Sequence, residues 1–353
     1  MSSPISWDVA EKVAIRIARQ VQGSSYSVEV VQREFDEVIV KAAELVEQAT
    51  GLISDGPPRA LVVDRSAWVV SNIASFKRLL SPLLDKLGSK ITSSSFLSPV
   101  GKVVTGAQLG AILGFMSTKV LGQYDLLVIE EENPQNQDLI YFVGPNILEI
   151  ESRFDFPSQQ FRLWIAIHEA THRAQFTAIP WMNAHFKSLL DQAISTMEPD
   201  PKRFLEALKR VAQDIMARKN PLAESGLIGL FVTSEQKVAL SQLQGLMSLL
   251  EGHGDIIMNK AGTDLVPQAS YFAQVLNERR NSNGIVKFFY QLIGLEAKMK
   301  QYAEGERFIE TIESIGGDDL INILWKDPQW LPSIEEIRNP QSWIERVLPG
   351  KID

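Results

Sequence analysis

The chain contains no cysteine and only four histidines among its 353 residues. The first absence removes disulfides, thiolate metal sites and cysteine nucleophiles together. Any metal must then be held by imidazole and carboxylate. Positive charge is also scarce, with 35 Lys plus Arg against 43 Asp plus Glu and a formal charge of -8. No basic run with interleaved aromatics of the kind that grips a phosphate backbone occurs, so nucleic acid is not an expected partner. The opening stretch MSSPISWDVAEKVAIRIARQ lacks the charged start and uninterrupted apolar core of a secretory signal, and a cytoplasmic location is the expectation. One apolar run, residues 103–122, has about the length of a bilayer span, but Gln108, Thr118 and Lys119 interrupt it and membrane insertion is not expected. Within it Gly106, Gly110 and Gly114 fall four apart, which predicts a helix side that a neighbour can approach closely.

A hydrophobic content of 45% is enough for a substantial core. Most segments carry apolar residues at steps of three and four. Residues 7–22 run through Ala10, Val13, Ile17 and Val21 to a stop at Gly23, with Ser6 placed to cap the start. FDEVIVKAAELVEQATG forms a second helix ending at Gly51, and SDGPPR (54–59) and TSSSFLSP (92–99) are breaks. Strand signals concentrate in DLLVIEEE (125–132) and DLIYFVG (138–144), which flank the polar NPQNQ turn and predict a hairpin. From residue 156 onward the pattern is again helical. The expected class is α+β, predominantly helical.

The stretch IAIHEATHRAQF (165–176) holds two of the four histidines. The helix around it is expected to start between Asp155 and Ser158 and to run to about Phe176, with an inward face of Phe161, Trp164, Ile165, His168, Thr171, His172 and Gln175. Four residues advance a helix by about 400°, so the imidazoles of His168 and His172 project from one side, one turn apart, and can reach a single ion. Glu169 is rotated by about 100° and stands beside the ion's open position. Zinc with three protein ligands lowers the pKa of bound water to about 7, and a neighbouring carboxylate can then act as general base. Chance gives about 0.003 H-E-x-x-H matches in a chain of this composition, so coincidence is a poor explanation. The competing reading is two core histidines bonded to nearby backbone beside a solvated glutamate.

A third ligand is needed. The sixth residue after His172 is Ala178, so the extended H-E-x-x-H-x-x-G-x-x-H pattern is absent. His185, beyond a proline break, reads as a surface or packing residue. The segment 233–262 is a better source. Thr233 and Gln236 make a capping box, Gly262 is a stop, and Leu243, Met247, Leu250, Gly254 and Ile257 form a buried stripe that includes Glu251. A carboxylate on an apolar helical face needs a cation, which a metal or a buried arginine such as Arg280 would supply. Asp255, one turn further, is placed to accept the outer N–H of a liganding imidazole. His253 points roughly opposite to Glu251 on an ideal helix. Distortion at Gly252 and Gly254 would make it an alternative ligand or an oxyanion donor. Tyr302 and Lys298, four apart, are either donors to a transition state or part of an ordinary amphipathic helix. Arg279 and Arg280 are either a substrate-carboxylate anchor or structural ion-pair partners.

Five stretches together resemble a biochemically uncharacterised zincin-like hydrolase family: DRSAWVVSNIASF (64–76), VLGQYD (120–125), HEATH (168–172), LLEGHGDIIM (249–258) and LIGLEAKMKQYAEGERF (292–308). The resemblance implies a zincin-like metallopeptidase fold, with a small sheet beside the H-E-x-x-H helix and a strand along which an extended peptide can pair. It implies one unit over 1–353, made of an N-terminal lobe of about 1–178 and a C-terminal helical lobe of about 179–353. The family is also associated with biosynthesis of a deazaflavin hydride-carrying coenzyme, but no motif for such a ring is present. The functional expectation is a zinc-dependent hydrolase of a peptide or other amide-containing substrate. His168, His172 and Glu251 are its expected ligands, Glu169 its base and Asp255 the support behind an imidazole; another divalent metal suits the same donors. The alternative is a non-catalytic, metal-stabilised scaffold or accessory protein.

Overall fold

The structure, a computed structural model, describes residues 3–20, 28–90, 98–124, 138–195, 209, 234–262, 265–283 and 301–348. It is α+β and predominantly helical. Two helices, α1 (Trp7–Gln20) and α2 (Val28–Thr50), open the chain. The second ends where expected, because Gly51 takes a φ of 67° that other residues adopt only at a cost. The stop expected at Gly23 lies outside the described residues.

Three short strands, β1 (Ala60–Val63), β2 (Gly122–Tyr124) and β3 (Ile140–Val143), form one sheet in the order β1-β3-β2. β3 is parallel to β1 and antiparallel to β2. The expected strand at 138–144 is therefore present, but its described neighbours differ from the hairpin partner read from the sequence. They are Gly122–Tyr124, inside the LGQYD stretch, and ALVV directly after the SDGPPR break; residues 125–132 lie outside the described residues. β3 is apolar throughout because both of its faces are covered. Ile140 and Phe142 enter a core with Phe35, Ile39, Phe161 and Trp164, while Tyr141 and Val143 enter another with Trp68, Leu109 and Ile112. The Phe35 and Phe142 rings stack with centroids 4.1 Å apart.

Helices α3 (Arg65–Lys90) and α4 (Pro99–Ser117) connect β1 to β2. Ser98 caps α4 by accepting from the Gly101 amide at 3.0 Å, and Pro99 occupies the first turn, where a missing N–H costs nothing. The glycine side of α4 meets α1 backbone to backbone. A Cβ at Gly106 would lie 2.3 Å from the Ser6 carbonyl oxygen, and one at Gly110 2.3 Å from that of Ala10. By length and composition α4 could cross a membrane; more than half of it is buried inside the protein.

After β3 come α5 (Gly144–Phe154), α6 (Ser158–Thr177) and α7 (Met182–Ser195). α6 is the expected histidine helix, within a residue of its predicted end. Its start differs in detail: Pro157 is the N-cap and no side chain caps the helix. Ser158 instead donates to Glu151 at 3.0 Å, and Arg162 grips the same carboxylate with two bonds of 2.8 Å while also pairing with Glu34. Nearer the other end, buried Arg173 binds both oxygens of Asp138 and the carbonyls of Asp55 and Gly56, which ties α6 to the loops before β1 and β3.

The remaining elements are α8 (Ser234–Ala261), α9 (Ala269–Asn283), α10 (Gln301–Leu324), a 3-10 turn at Pro328–Trp330, α11 (Ile334–Arg338) and α12 (Pro340–Val347). α8 packs against α6, α7, α10 and α11. Thr233 of the expected capping box lies outside the described residues. Gly252 and Gly254 do not break α8; they admit neighbours. A Cβ at Gly252 would lie 2.3 Å from the Gly305 carbonyl carbon, so α8 and α10 touch through their backbones.

Candidate metal centre

The functional side chains come from two helices and one strand edge. α6 is buried almost all round, and its i, i+4 spacing turns His168 and His172 toward α8. Their Nε2 atoms stand 3.2 Å apart with the rings nearly perpendicular, at 84°. From α8, Glu251 brings Oε2 to 3.9 Å from His168 Nε2 and Oε1 to 4.0 Å from His172 Nε2. One ligand atom from each of these three residues falls within 4.8 Å of the others. Gly254 provides the room, since a Cβ there would lie 3.2 Å from His168 Cε1 and 3.4 Å from His172 Cε1.

These donors suit a divalent ion. Zinc with bonds of about 2.0–2.1 Å holds tetrahedral ligand atoms about 3.3 Å apart, so the imidazoles are already in place and Glu251 closes by roughly half an ångström. Two imidazole nitrogens and a carboxylate gathered at this range in a largely buried setting are the donor set that a cation would satisfy.

Asp255 is one turn beyond Glu251, and its Oδ1 stands 3.6 Å from His168 Nδ1, on the side of the ring away from the cluster. Behind His172 is a residue whose role sequence reasoning missed. His172 Nδ1 lies 3.0 Å from Gln175 Oε1, and Gln175 Nε2 donates to the Leu250 carbonyl at 3.1 Å and lies 2.9 Å from His253 Nδ1. Gln175 is fully buried. Its position three residues after His172, on the same helical face, was the available signal.

His253 is consequently not among the converging donors. It is buried behind Gln175, with its ring edge against Trp325 at 5.1 Å between centroids. Burial pushes its imidazole down to about 3, with His172 and Lys260 adding to the shift, so the ring is neutral and its Nδ1 is free to accept from Gln175. His185 stands on α7 against the Trp181 ring, as a packing residue would. Tyr302 falls in the first turn of α10, but its side chain lies outside the described residues, as do Lys298 and the side chains of Arg279 and Arg280. Glu306, next to Gly305 on α10, is raised by burial and further by Asp255 and Glu310.

Glu169 reaches the edge of the sheet. It is buried, and its Oε2 accepts from the Tyr124 amide of β2 at 3.0 Å. Gly122 leaves space for that carboxylate: a Cβ would lie 2.6 Å from Glu169 Cγ and 2.7 Å from Oε1. The strand itself is anchored by Gln123, whose Oε1 accepts from Trp68 Nε1 at 2.8 Å and whose Nε2 donates to Asn72 at 2.9 Å. Adding a methyl group in Gly122→Ala must displace Glu169 or the strand. For the hydrolase expected from the sequence, the result would be an unchanged metal content with kcat/KM lowered about ten- to a hundredfold, because small misplacements of a catalytic group are costly. Metal analysis and steady-state kinetics check this, and an unchanged kcat/KM would show that the contact does not matter.

Sequence comparison adds the family. The model of the zincin-like metallopeptidases matches residues 5–344. The chain belongs to the zincin-like metallopeptidase family. Among solved structures it is similar to one from Chloroflexus aurantiacus described as a "putative hydrolase with a novel fold", at 28% identity and a TM-score of 0.76, covering 97% of this chain and 98% of that one. No curated protein matches the sequence. Membership of the zincin-like family brings with it a divalent metal and hydrolytic chemistry. The stretches that carried the sequence resemblance converge here: Trp68, Asn72 and Gln123 hold the strand, Gly122 and Tyr124 flank Glu169, and Gly252, Gly254 and Gly305 make room for close packing.

Proposed function

We propose that this zincin-like protein hydrolyses amide bonds, in a peptide or other amide-containing substrate, with zinc as the working ion. The observation that carries the reading is the division of the site: His168, His172 and Glu251 converge on one point, while Glu169 stands apart at the edge of β2. A purely structural ion is usually closed off by four protein ligands. Here the described residues contribute a group of three.

In this reading His168 Nε2, His172 Nε2 and a Glu251 oxygen hold the ion, and Asp255 and Gln175 orient the two rings. Bound there, a divalent ion supplies Lewis acidity, which polarises a carbonyl and makes water nucleophilic near neutral pH. Glu169 accepts the proton of the attacking water at its carboxylate and delivers it to the departing amine nitrogen. The Tyr124 amide fixes that carboxylate in direction without protonating it. An extended substrate lies beside β2, so that its scissile carbonyl comes within reach of Glu169 and the three donors.

Metal analysis of the purified protein, followed by cleavage of a peptide library with and without a chelator, tests the proposal. The expected result is about one zinc per chain and cleavage that stops on chelation and returns with zinc. Zinc retained with no cleavage of any amide would favour the scaffold alternative, and no bound divalent metal would remove the basis of the reading.

A further inference from the structure

We infer that Gln175 is a positioning residue of the metal centre: it holds His172 in the tautomer whose bare Nε2 faces the ion, and is itself held by Leu250 and His253. The inference rests on the metal-site reading above and extends it to residues that touch neither metal nor substrate.

A neutral imidazole carries its proton on either nitrogen, and only the unprotonated one can bind a metal. What decides between them for His172 is the orientation of the Gln175 amide. A glutamine side chain can present oxygen or NH2 in either direction, and the wrong direction would offer a donor to His172 Nδ1 and force the proton onto Nε2. The surroundings allow one direction. The Leu250 carbonyl lies 3.1 Å from Gln175 Nε2, and a carbonyl can only accept. Gln175 Oε1 must then face His172 Nδ1, 3.0 Å away, and that nitrogen must donate. The Nε2 left bare is the one 3.2 Å from His168 Nε2 and 4.0 Å from Glu251. His253 Nδ1, accepting at 2.9 Å, takes the second amide proton and completes the arrangement.

Two features separate this from ordinary core hydrogen bonding. Leu250 immediately precedes Glu251, so one side chain of α6 ties the tautomer of His172 to the backbone that carries the third donor. Asp255 Oδ1 stands behind His168 on the opposite flank at 3.6 Å, beyond hydrogen-bond range, so the close contact of Gln175 with His172 is not a feature common to both rings. A carboxylate at 175 would turn lone pairs toward the Leu250 carbonyl, which accounts for glutamine at that position.

Long-range 1H–15N NMR of the histidine rings in the metal-free protein at about pH 8, where ordinary imidazoles are neutral, reads the tautomers directly, with only four histidines to assign. His172 is expected with its proton on Nδ1 in the wild type and divided between both nitrogens in Gln175→Leu. The zinc Kd of Gln175→Leu, from competition with a chromophoric chelator, should be weaker by about ten- to a hundredfold. A wild-type His172 with its proton on Nε2 overturns the inference without any variant having to fold. An unchanged tautomer or an unchanged Kd in Gln175→Leu does the same. His172→Ala in the same competition separates the two levels. Full zinc affinity in that variant removes the metal-site reading itself; lost affinity there, with wild-type affinity in Gln175→Leu, removes only the role of Gln175.

Discussion

Glu169→Gln is expected to keep its zinc and to lose amide-hydrolysing turnover by about a hundred- to ten-thousandfold, the range for removing a general base. The substitution preserves shape. A glutamine oxygen can still accept from the Tyr124 amide at 3.0 Å, and the side chain still fits against Gly122, so neither β2 nor α6 has reason to move. What is lost is the capacity to take up a proton. Glu169 is not one of the three converging donors, so metal content by elemental analysis should match the wild type. Undiminished turnover would remove Glu169 from the chemistry, whereas simultaneous loss of zinc would mean that it acts as a ligand.

Glu251→Ala should produce the opposite pattern, losing the metal and keeping the fold. Two imidazoles alone hold zinc weakly, and dialysis should leave the variant with no stoichiometric metal. Its stability gives a second readout. Zinc at a thousandfold excess over its Kd adds about 4 kcal/mol to a protein that binds it only when folded, and this linkage disappears with the site. Thermal unfolding with and without zinc should therefore show a large rise in Tm for the wild type and little for the variant. An equal zinc-induced rise in both proteins would exclude Glu251 as a ligand.

Helical periodicity made much of this site readable before any coordinates. The limits of α6, the common face of His168 and His172, and the placing of Glu251 and Asp255 one turn apart on a buried stripe follow from rotation per residue, a local property. The sheet was harder. ALVV is too short and follows prolines too closely to stand out, GQY has no alternation, and parallel pairing of β1 with β3 depends on contacts far apart in sequence. The same reason hid the link from Gln175 to His253, since the crossing of α6 over α8 sets it. As a ligand His253 would need Gly252 and Gly254 to distort the helix; those glycines instead accept the Gly305 backbone and the imidazole rings.

The three converging donors also differ in when they become available as the chain folds. The two imidazoles belong to successive turns of α6 and are paired as soon as that helix forms. The carboxylate arrives only after α8 docks, through glycine contacts that tolerate no sliding. If the proposed site holds its ion, tight capture would require α6 and α8 to have docked in register, and a chain in which they had not would offer the ion only the two imidazoles.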